Sequence, residues 1–191
     1  MNLPNKLTLS RILLVPVFMV FAARGGFSTD RFLQSMYLVA GIIFAVASIT
    51  DLLDGKIARK KNLITDFGKF ADPLADKMLT TAALLYMVKD GVCSPAVVAL
   101  VLFREFAVAG VRMIAAASGT VIAANLLGKI KTNCQMFTIL FYYFAVALLG
   151  HLELAFLPTV TQILCWLVAA LTLASGAIYL WQNRSCFMQA K

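Results

Sequence analysis

The sequence predicts an all-α integral membrane protein that crosses the bilayer with six helices. Hydrophobic residues make up 61% of the 191-residue chain, and its mean hydropathy is +0.86. Charged residues make up only 14%, whereas soluble domains carry about 25%. The apolar runs reach the roughly 20 residues that a helix needs to cross a bilayer, and they lack the alternation of a membrane β-barrel. Because lipid offers the backbone no hydrogen-bonding partners, such runs are expected to be helical.

Six apolar runs are long enough to be transmembrane spans. In chain order they cover residues 7–23, 32–50, 70–88, 95–117, 132–149 and 157–181. The first run begins almost at residue 1, contains Arg11 and has no small-x-small cleavage motif before Arg24. It is therefore interpreted as a span and not as a cleaved signal peptide.

The distribution of Lys and Arg predicts the orientation of the chain in the membrane. With six spans, the two termini and the loops after spans two and four share one side, which holds every Lys and Arg except Arg24, Arg31 and Lys89. The positive-inside rule places this side in the cytoplasm. The net charge of +8 is explained by this topology and by attraction to anionic membrane lipids, so no nucleic-acid partner is expected.

The chain shows no internal repeat, low-complexity tract or linker, so residues 1–191 are predicted to form a single domain. The four cysteines lack metal-binding spacing and are interpreted as small apolar residues in or near helices. The single histidine, His151, falls in a predicted loop on the outer side. Histidine-based catalysis on the cytoplasmic side is therefore not expected.

The stretch from Asp51 to Lys77 holds five of the nine acidic residues of the chain. At 100° per residue, four residues at the end of the second span fall on one helix face: Asp51, Asp54, Gly55 and Ala58. Three residues at the start of the third span recur every four positions and also share a face: Gly68, Asp72 and Asp76. Two neighbouring helices are thus expected to present two carboxylates each at the cytoplasmic boundary.

Four carboxylates at a membrane boundary need a compensating partner. Each costs on the order of 2.5–3.5 kcal/mol at the centre of a membrane helix, which gives an upper bound of roughly 10 kcal/mol for four. Salt bridges to Arg59, Lys69 and Lys77 would serve Asp66 and one other carboxylate, but they do not explain why four converge. Divalent cations such as Mg²⁺, which take oxygen ligands and leave positions open for water and phosphates, do explain it. Two such ions can hold a pyrophosphate and stabilise charge on the entering and leaving oxygens.

Small residues accompany the carboxylates in this stretch. Gly55, Ala58 and Gly68 are interpreted as places where a bulky ligand approaches the backbone, although close helix packing also uses small residues. Pro73 fits either the first turn of a helix, with Asp72 as N-cap, or a kink at the site.

These residues form a pattern that resembles the signature of the CDP-alcohol phosphatidyltransferase family. The match is Asp51-x2-Asp54-Gly55-x2-Ala58-Arg59-x8-Gly68-x3-Asp72-x3-Asp76, with no departure from the pattern. The resemblance implies six helices around a polar cavity on the cytoplasmic side. It also implies transfer of a phosphatidyl group from a CDP-linked lipid to an alcohol, with release of CMP. The four aspartates would bind Mg²⁺ or Mn²⁺, Asp76 would be the candidate base, and the CDP-lipid site would include Gly55, Ala58, Arg59 and Gly68.

Two further stretches bear on the acceptor alcohol. Residues 3–11, LPNKLTLSR, place Asn5, Thr8 and Arg11 at the entry to the first span, where polar side chains can also simply reach the membrane interface. A second stretch, residues 104–135, contains a cationic cluster suited to a phosphate: Arg104, Arg112, Lys129 and Lys131. The alternatives are a structural Glu105–Arg112 pair, seven residues apart on one helix face, and lysines that act as positive-inside anchors.

Both stretches resemble the bacterial phosphatidylglycerophosphate synthases, a branch of the same family. The resemblance then covers residues 3–180 and implies CDP-diacylglycerol as donor, with Asn5 and Thr8 at its site, and sn-glycerol 3-phosphate as acceptor. It implies a multi-pass enzyme of the bacterial inner membrane with a cytoplasmic active site, in a family where homodimers are common. The alternative is the same chemistry on serine, inositol phosphate or phosphatidylglycerol. A divalent-cation transporter is disfavoured, because the interiors of spans one, five and six are almost free of charge.

Overall fold

In a computed structural model, the chain folds into six α-helices. They are α1 (Leu3–Arg24), α2 (Arg31–Lys61), α3 (Asp66–Lys89), α4 (Pro95–Ala117), α5 (Leu126–Leu149) and α6 (Phe156–Gln182), with a short 3₁₀ helix at Gly150–Leu152. The structure describes residues 3–26, 30–61, 66–117, 126–152 and 155–184, but not the side chains of residues 3–8, 51–61, 66–73, 76 and 151. These described residues contain no β-strand, which confirms the all-α prediction, and each predicted span lies within one helix.

Apolar helices of membrane-spanning length are present in the described chain. Three segments are long and apolar enough to cross a bilayer: Arg31–Thr50, Leu126–Leu149 and Phe156–Gln182. Helix α4 has a similar length but carries Arg104, Glu105 and Arg112 in its interior. Helix α3 carries most of its charged residues in its first half. The full set of six spans and the cytoplasmic position of the termini stay predictions.

The ends of several helices follow from the local sequence. Asp30 caps α2, since its Oδ1 accepts the backbone N–H of Phe32 at 2.8 Å. Ser94 caps α4 in the same way at 3.3 Å, and Pro95 occupies the first helical position, where its missing N–H is not needed. Beyond α3 the chain turns at Gly91, whose φ of 76° is readily adopted by glycine.

The described contacts divide the chain into two compact units. The first unit comprises Met1–Asp90 and Ile139–Leu157, and the second comprises Gly91–Thr138 and Pro158–Lys191. Helix α5 therefore contributes residues to both units. The assignment of the whole chain to a single domain stays a prediction.

The core of the first unit is built around α1, which packs along both α2 and α3. Phe18 of α1 is fully buried. Its ring centroid lies 6.2 Å from that of Phe44 on α2, 6.4 Å from that of Tyr86 on α3 and 5.5 Å from that of Tyr143 on α5. Such tilted and edge-on aromatic contacts are favourable. They hold together the two helices that carry the acidic stretch.

The second unit has its own buried residues. Val108 and Val111 of α4 pack with Tyr179 of α6. Cys93 and Cys165 are buried with their thiols hydrogen-bonded, and this bond lowers the pKa of Cys93 below its ordinary value. Both cysteines are therefore small residues buried in or beside helices, as predicted.

Candidate active site

The signature aspartates lie on two consecutive helices of the first unit. Helix α2 continues without a break beyond the second predicted span to Lys61, and its last turns carry Asp51 and Asp54. Helix α3 carries Asp72 and Asp76 in its first half. The backbone is thus helical at all four positions, so the three- and four-residue spacings are those of a helix. The carboxylates themselves lie outside the described side chains, and their convergence stays a prediction.

The other predicted residues of the CDP-lipid site also lie at helical positions. They are Asn5 and Thr8 in α1, Gly55, Ala58 and Arg59 in α2, and Gly68 in α3, all outside the described side chains. Pro73 lies inside α3, which begins at Asp66, so of the two alternatives left open by the sequence the first-turn position with Asp72 as N-cap is excluded. A proline there cannot donate the intrahelical hydrogen bond, which makes this position a natural site for a bend. Among the side chains that are described, no group of three or more His, Cys, Asp or Glu residues could hold a metal.

Arg11 is the described cation at the entry to the first predicted span, next to the exposed Ser10. Only 1% of its surface is exposed within the structure. A buried guanidinium on α1 does not fit a side chain that merely reaches the membrane interface. Burial therefore favours a role for Arg11 inside the first unit.

Three charged residues of the predicted acceptor region form one cluster in the second unit. The Nζ of Lys131 on α5 lies 2.7 Å from Oε1 of Glu105 on α4, and Nη1 of Arg104 lies 3.3 Å from the same oxygen. The side chain of Lys131 is only 2% exposed. Glu105 therefore pairs with Lys131 and Arg104, whereas the sequence had suggested Arg112 as its structural partner.

Two glycines make room for Arg104. A Cβ added at Gly176 of α6 would lie 2.9 Å from Cγ of Arg104, and a Cβ added at Gly128 of α5 would lie 3.0 Å from its Nη2. Real Cβ atoms are almost never found closer than 3.0 Å to such an atom. The position of the Arg104 side chain thus depends on the absence of a side chain at Gly176, whereas the tight contact at Gly128 involves only the mobile end of the guanidinium.

The remaining two predicted acceptor cations are exposed. Arg112 donates a hydrogen bond from Nε to the hydroxyl of Tyr179 at 3.2 Å, and its guanidinium lies 5.6 Å from the centre of the Tyr179 ring. The hydrogen bond and the ring contact together orient the guanidinium of Arg112, and the residue is nevertheless exposed. Lys129, two residues before the buried Lys131, is also exposed.

Sequence reasoning missed Tyr179 and the two glycines. Tyr179 lies 67 residues from Arg112, so no short-range spacing connects them. The apolar sequence of α6 gave no indication that its single tyrosine contacts a cation. Gly128 lies within the predicted acceptor region, but its closeness to Arg104 depends on the packing of α5 against α4.

Comparison with known proteins connects this arrangement to one family. Residues 1–174 match the family model described as CDP-alcohol phosphatidyltransferase. The chain is 42% identical over 190 residues to the CDP-diacylglycerol–glycerol-3-phosphate 3-phosphatidyltransferase of Bacillus subtilis, covering 95% of each chain. It is 36% identical over 180 residues to the protein of the same name from Rickettsia felis, covering 93% of each. A Mycoplasma genitalium protein of that name is 33% identical over 165 residues, covering 83% of this chain and 68% of its own.

Proposed function

The chain belongs to the CDP-alcohol phosphatidyltransferase family, and we propose that it transfers the phosphatidyl group of CDP-diacylglycerol to sn-glycerol 3-phosphate. The products are phosphatidylglycerol phosphate and CMP. The observation that carries this assignment is the 42% identity, over 95% of both chains, to a bacterial enzyme named for that reaction. The unbroken eight-position signature between Asp51 and Asp76 supports the donor half of this reaction.

We propose a multi-pass protein of the bacterial inner membrane with six spans, cytoplasmic termini and a cytoplasmic active site. The apolar helices and the asymmetry of Lys and Arg support this topology. In a variant without native cysteines, Asp30→Cys should react with an impermeant maleimide in spheroplasts, which lack the outer membrane. Lys129→Cys should react only after the inner membrane is permeabilised. The reverse labelling pattern would contradict the orientation.

We also propose a homodimer, because homodimers are common in the family. The mass of the purified protein in detergent tests this proposal.

The donor set of the acidic stretch fits a hard divalent cation. Asp51 and Asp54 on α2 and Asp72 and Asp76 on α3 offer carboxylate oxygens, the ligands that Mg²⁺ and Mn²⁺ prefer. We propose that these four residues hold two such ions. When bound, the ions would supply positive charge to the pyrophosphate of the donor and to the oxygens whose charge develops during transfer.

The reaction then needs one proton transfer and one displacement. Asp76 accepts the proton of the primary hydroxyl of glycerol 3-phosphate, and the resulting oxygen forms a bond to the β-phosphorus of CDP-diacylglycerol. The bond between that phosphorus and the bridging oxygen breaks, and CMP leaves with the electron pair. Arg59 stabilises the leaving phosphate. As in phosphoryl transfer generally, positioning and charge stabilisation supply most of the acceleration.

We propose that the cations of the second unit bind the phosphate of the acceptor. Arg112 and Lys129 are exposed, and Tyr179 orients Arg112 by a hydrogen bond and by its ring. Arg104 and Lys131 share Glu105, so this cluster keeps one net positive charge and adds to the attraction. An acceptor without a phosphate would have no use for the exposed Arg112 and Lys129, whereas Arg104 and Lys131 would still pair with Glu105.

The test is CMP release by the purified protein in detergent, with CDP-diacylglycerol, Mg²⁺ and one acceptor at a time. Glycerol 3-phosphate is expected to support release, EDTA is expected to abolish it, and serine, inositol phosphate and phosphatidylglycerol are expected to be inactive. Release with a different acceptor would overturn the acceptor assignment and keep the metal site. Release that persists in EDTA would overturn the metal site.

Matched variants separate the metal ligands from other acidic residues of the same stretch. Replacing Asp51, Asp54, Asp72 or Asp76 by Asn should each lower CMP release at least about a hundredfold, because loss of even a supporting group around a metal costs 10–100-fold. Asp66→Asn is the control, since it removes the same charge at the first residue of α3, outside the signature. An equal loss in the control would show that general charge, and not ligation, explains the effect.

A further inference from the structure

A half-buried carboxylate that accepts two tyrosine hydroxyls lies in the first unit, at the end of α3 that is remote from the signature aspartates. Asp90 directly follows α3, and its Oδ2 accepts hydrogen bonds from the hydroxyl of Tyr37 on α2 and from that of Tyr142 on α5, the latter at 2.6 Å. Both tyrosines are fully buried. The proposed reaction makes no use of these three residues.

Asp90 keeps the helical register of α3. Its backbone N–H donates to the carbonyl of Tyr86 at 3.1 Å, the i to i−4 bond of an α-helix. Distances along α3 can therefore be counted up to Asp90. Asp76 lies 14 residues before Asp90, and Asp51 lies 14 residues after Tyr37.

Helices α2 and α3 run antiparallel. The start of α2 is bonded to the end of α3 through Tyr37 and Asp90, while the end of α2 is joined to the start of α3 by only four residues, 62–65. At a rise of 1.5 Å per residue, positions 51 and 76 each lie about 21 Å along their helix from the Tyr37–Asp90 bond. Positions 54 and 72, which are 17 and 18 residues from it, lie about 26 and 27 Å away. The bond thus pairs the two aspartates of α2 with those of α3 at matching depth.

For three of the four aspartates the faces match as well as the depths, whereas position 54, 17 residues after Tyr37, lies about 100° from the Tyr37 face. Fourteen residues make about 3.9 helical turns, so position 51 lies within about 40° of the face on which α2 carries Tyr37, and position 76 lies within about 40° of the face on which α3 carries Asp90. Eighteen residues make five whole turns, which returns position 72 to the face of Asp90. The faces of α2 and α3 that meet at Tyr37 and Asp90 are therefore the faces that carry Asp51, Asp72 and Asp76.

We propose that the Tyr37–Asp90 hydrogen bond is a register lock that fixes the axial position of α2 against α3 and so aligns the aspartates of the two helices. This inference rests on the metal site of the proposed function. Helix α1 packs along both α2 and α3, and the Tyr37–Asp90 hydrogen bond joins α2 directly to α3, so this bond bears on the register of the two helices. A slip of one residue moves a position by about 1.5 Å, roughly three quarters of the 2.0–2.1 Å length of the bonds that Mg²⁺ requires, which is enough to break its coordination. Tyr37 and Asp90 are thus positioning residues for the metal ligands.

The chain offers a matched pair of variants. Tyr37→Phe and Tyr142→Phe each remove one buried hydroxyl from the same Asp90 oxygen and keep the aromatic ring. A merely structural role predicts equal effects of the two. The register lock predicts that only Tyr37→Phe matters for the metal, because Tyr142 comes from α5 and does not connect α2 to α3.

The measurement is the Mg²⁺ concentration that gives half-maximal CMP release, together with the midpoint of thermal unfolding in detergent. For Tyr37→Phe this concentration is expected to rise about three- to tenfold, the effect of one net hydrogen bond. For Tyr142→Phe the Mg²⁺ concentration for half-maximal release is expected to stay within about twofold of the wild-type value. Its midpoint of thermal unfolding is expected to fall by about as much as that of Tyr37→Phe. Equal Mg²⁺ requirements in the two variants would overturn the register lock.

Measurements with Asp76→Asn and with EDTA separate a failure of the register lock from a failure of the proposed metal site. If either leaves CMP release intact, the metal site itself is wrong, whatever Tyr37→Phe shows. If both abolish release while Tyr37→Phe has the Mg²⁺ requirement of the wild type, only the register lock is wrong. Asp30→Asn is a further control, because it removes a carboxylate at the start of α2 while asparagine still caps the helix.

Discussion

Replacing Glu105 by Gln is expected to destabilise the folded protein strongly, because Glu105 pairs with two cations in the second unit. Lys131 lies 2.7 Å from its carboxylate with only 2% of the side chain exposed. Arg104 lies 3.3 Å from the same oxygen and is 11% exposed. The amide introduced by this substitution would keep the shape of the side chain and remove the charge that both cations share.

The size of the effect follows from the geometry. At an effective dielectric constant of about 20, two charges 2.7 Å apart attract with about 6 kcal/mol before desolvation is counted. Removing one partner of a buried ion pair costs about 3–5 kcal/mol net. In a chain of this length each kcal/mol shifts the unfolding midpoint by about 2–4 °C, so a fall of roughly 6–20 °C is expected. Lys131→Met should cost less, because Glu105 keeps Arg104 as a partner.

The assay is the fraction of protein that stays folded in detergent after heating, measured for the two single variants and the double variant. The double variant Glu105→Gln/Lys131→Met should lose at least about 1 kcal/mol less free energy of unfolding than the two single variants lose together. The reason is that Glu105→Gln alone leaves Lys131 buried without a carboxylate, and the double variant no longer contains that cation. Lys129→Met is the control for lysine removal. It lies on the same helix but is exposed, and it should change stability by less than about 0.5 kcal/mol.

Two results would refute this reasoning. One is a midpoint for Glu105→Gln that falls no further than that of Lys129→Met, which would mean that the pair contributes nothing to stability. The other is additivity of the Glu105 and Lys131 effects, which would mean that the two side chains act independently.

Two further predictions concern the surroundings of the acceptor cations. Gly176→Ala would place a Cβ 2.9 Å from Cγ of Arg104 and should lower the free energy of unfolding by about 1–3 kcal/mol. Gly110→Ala is the control, because a Cβ added at Gly110 would have nothing within 4 Å. This substitution should raise the free energy of unfolding by up to about 1 kcal/mol. Similar thermal midpoints for the two variants would contradict this difference. Tyr179→Phe removes the hydroxyl that accepts from Arg112 at 3.2 Å and keeps the ring. It should raise KM for glycerol 3-phosphate about two- to tenfold while kcat stays within about twofold, and an unchanged KM would argue against Arg112 in acceptor binding.

The helices could be predicted from the sequence because long apolar runs have few alternatives in a membrane. The apolar runs located all six helices but fell short of the ends of several, and it was the helical spacing of the aspartates that predicted helix beyond the second run and before the third. Helix α2 continues from Thr50 to Lys61, and α3 begins at Asp66, four residues before the predicted span. Hydropathy marks where a helix leaves the lipid and not where its hydrogen bonds end, and charged residues such as Lys and Glu are good helix formers. The extension of α2 carries the acidic signature, so this difference matters for the site.

The partners of the charged residues could not be predicted in the same way. Helical periodicity relates residues of one helix, and it suggested Arg112 as a partner for Glu105. The observed partner, Lys131, is 26 residues away on another helix. Which residues meet across two helices depends on their rotation and axial offset, and these are set by contacts such as that of Gly176 with Arg104. Neither quantity is contained in the spacing along one helix.

The described acidic residues show how this apolar chain accommodates negative charge. Asp30 accepts a backbone N–H at the start of α2, Asp90 accepts two tyrosine hydroxyls, and Glu105 pairs with a lysine and an arginine. Each of these carboxylates has its own protein donors, and no other acidic residue lies within four positions of it. The signature aspartates differ, because they come in pairs three or four residues apart, which places like charges on one helix face. One donor per carboxylate would not remove the repulsion within such a pair. A divalent cation would, since a single ion accepts several carboxylate oxygens at once.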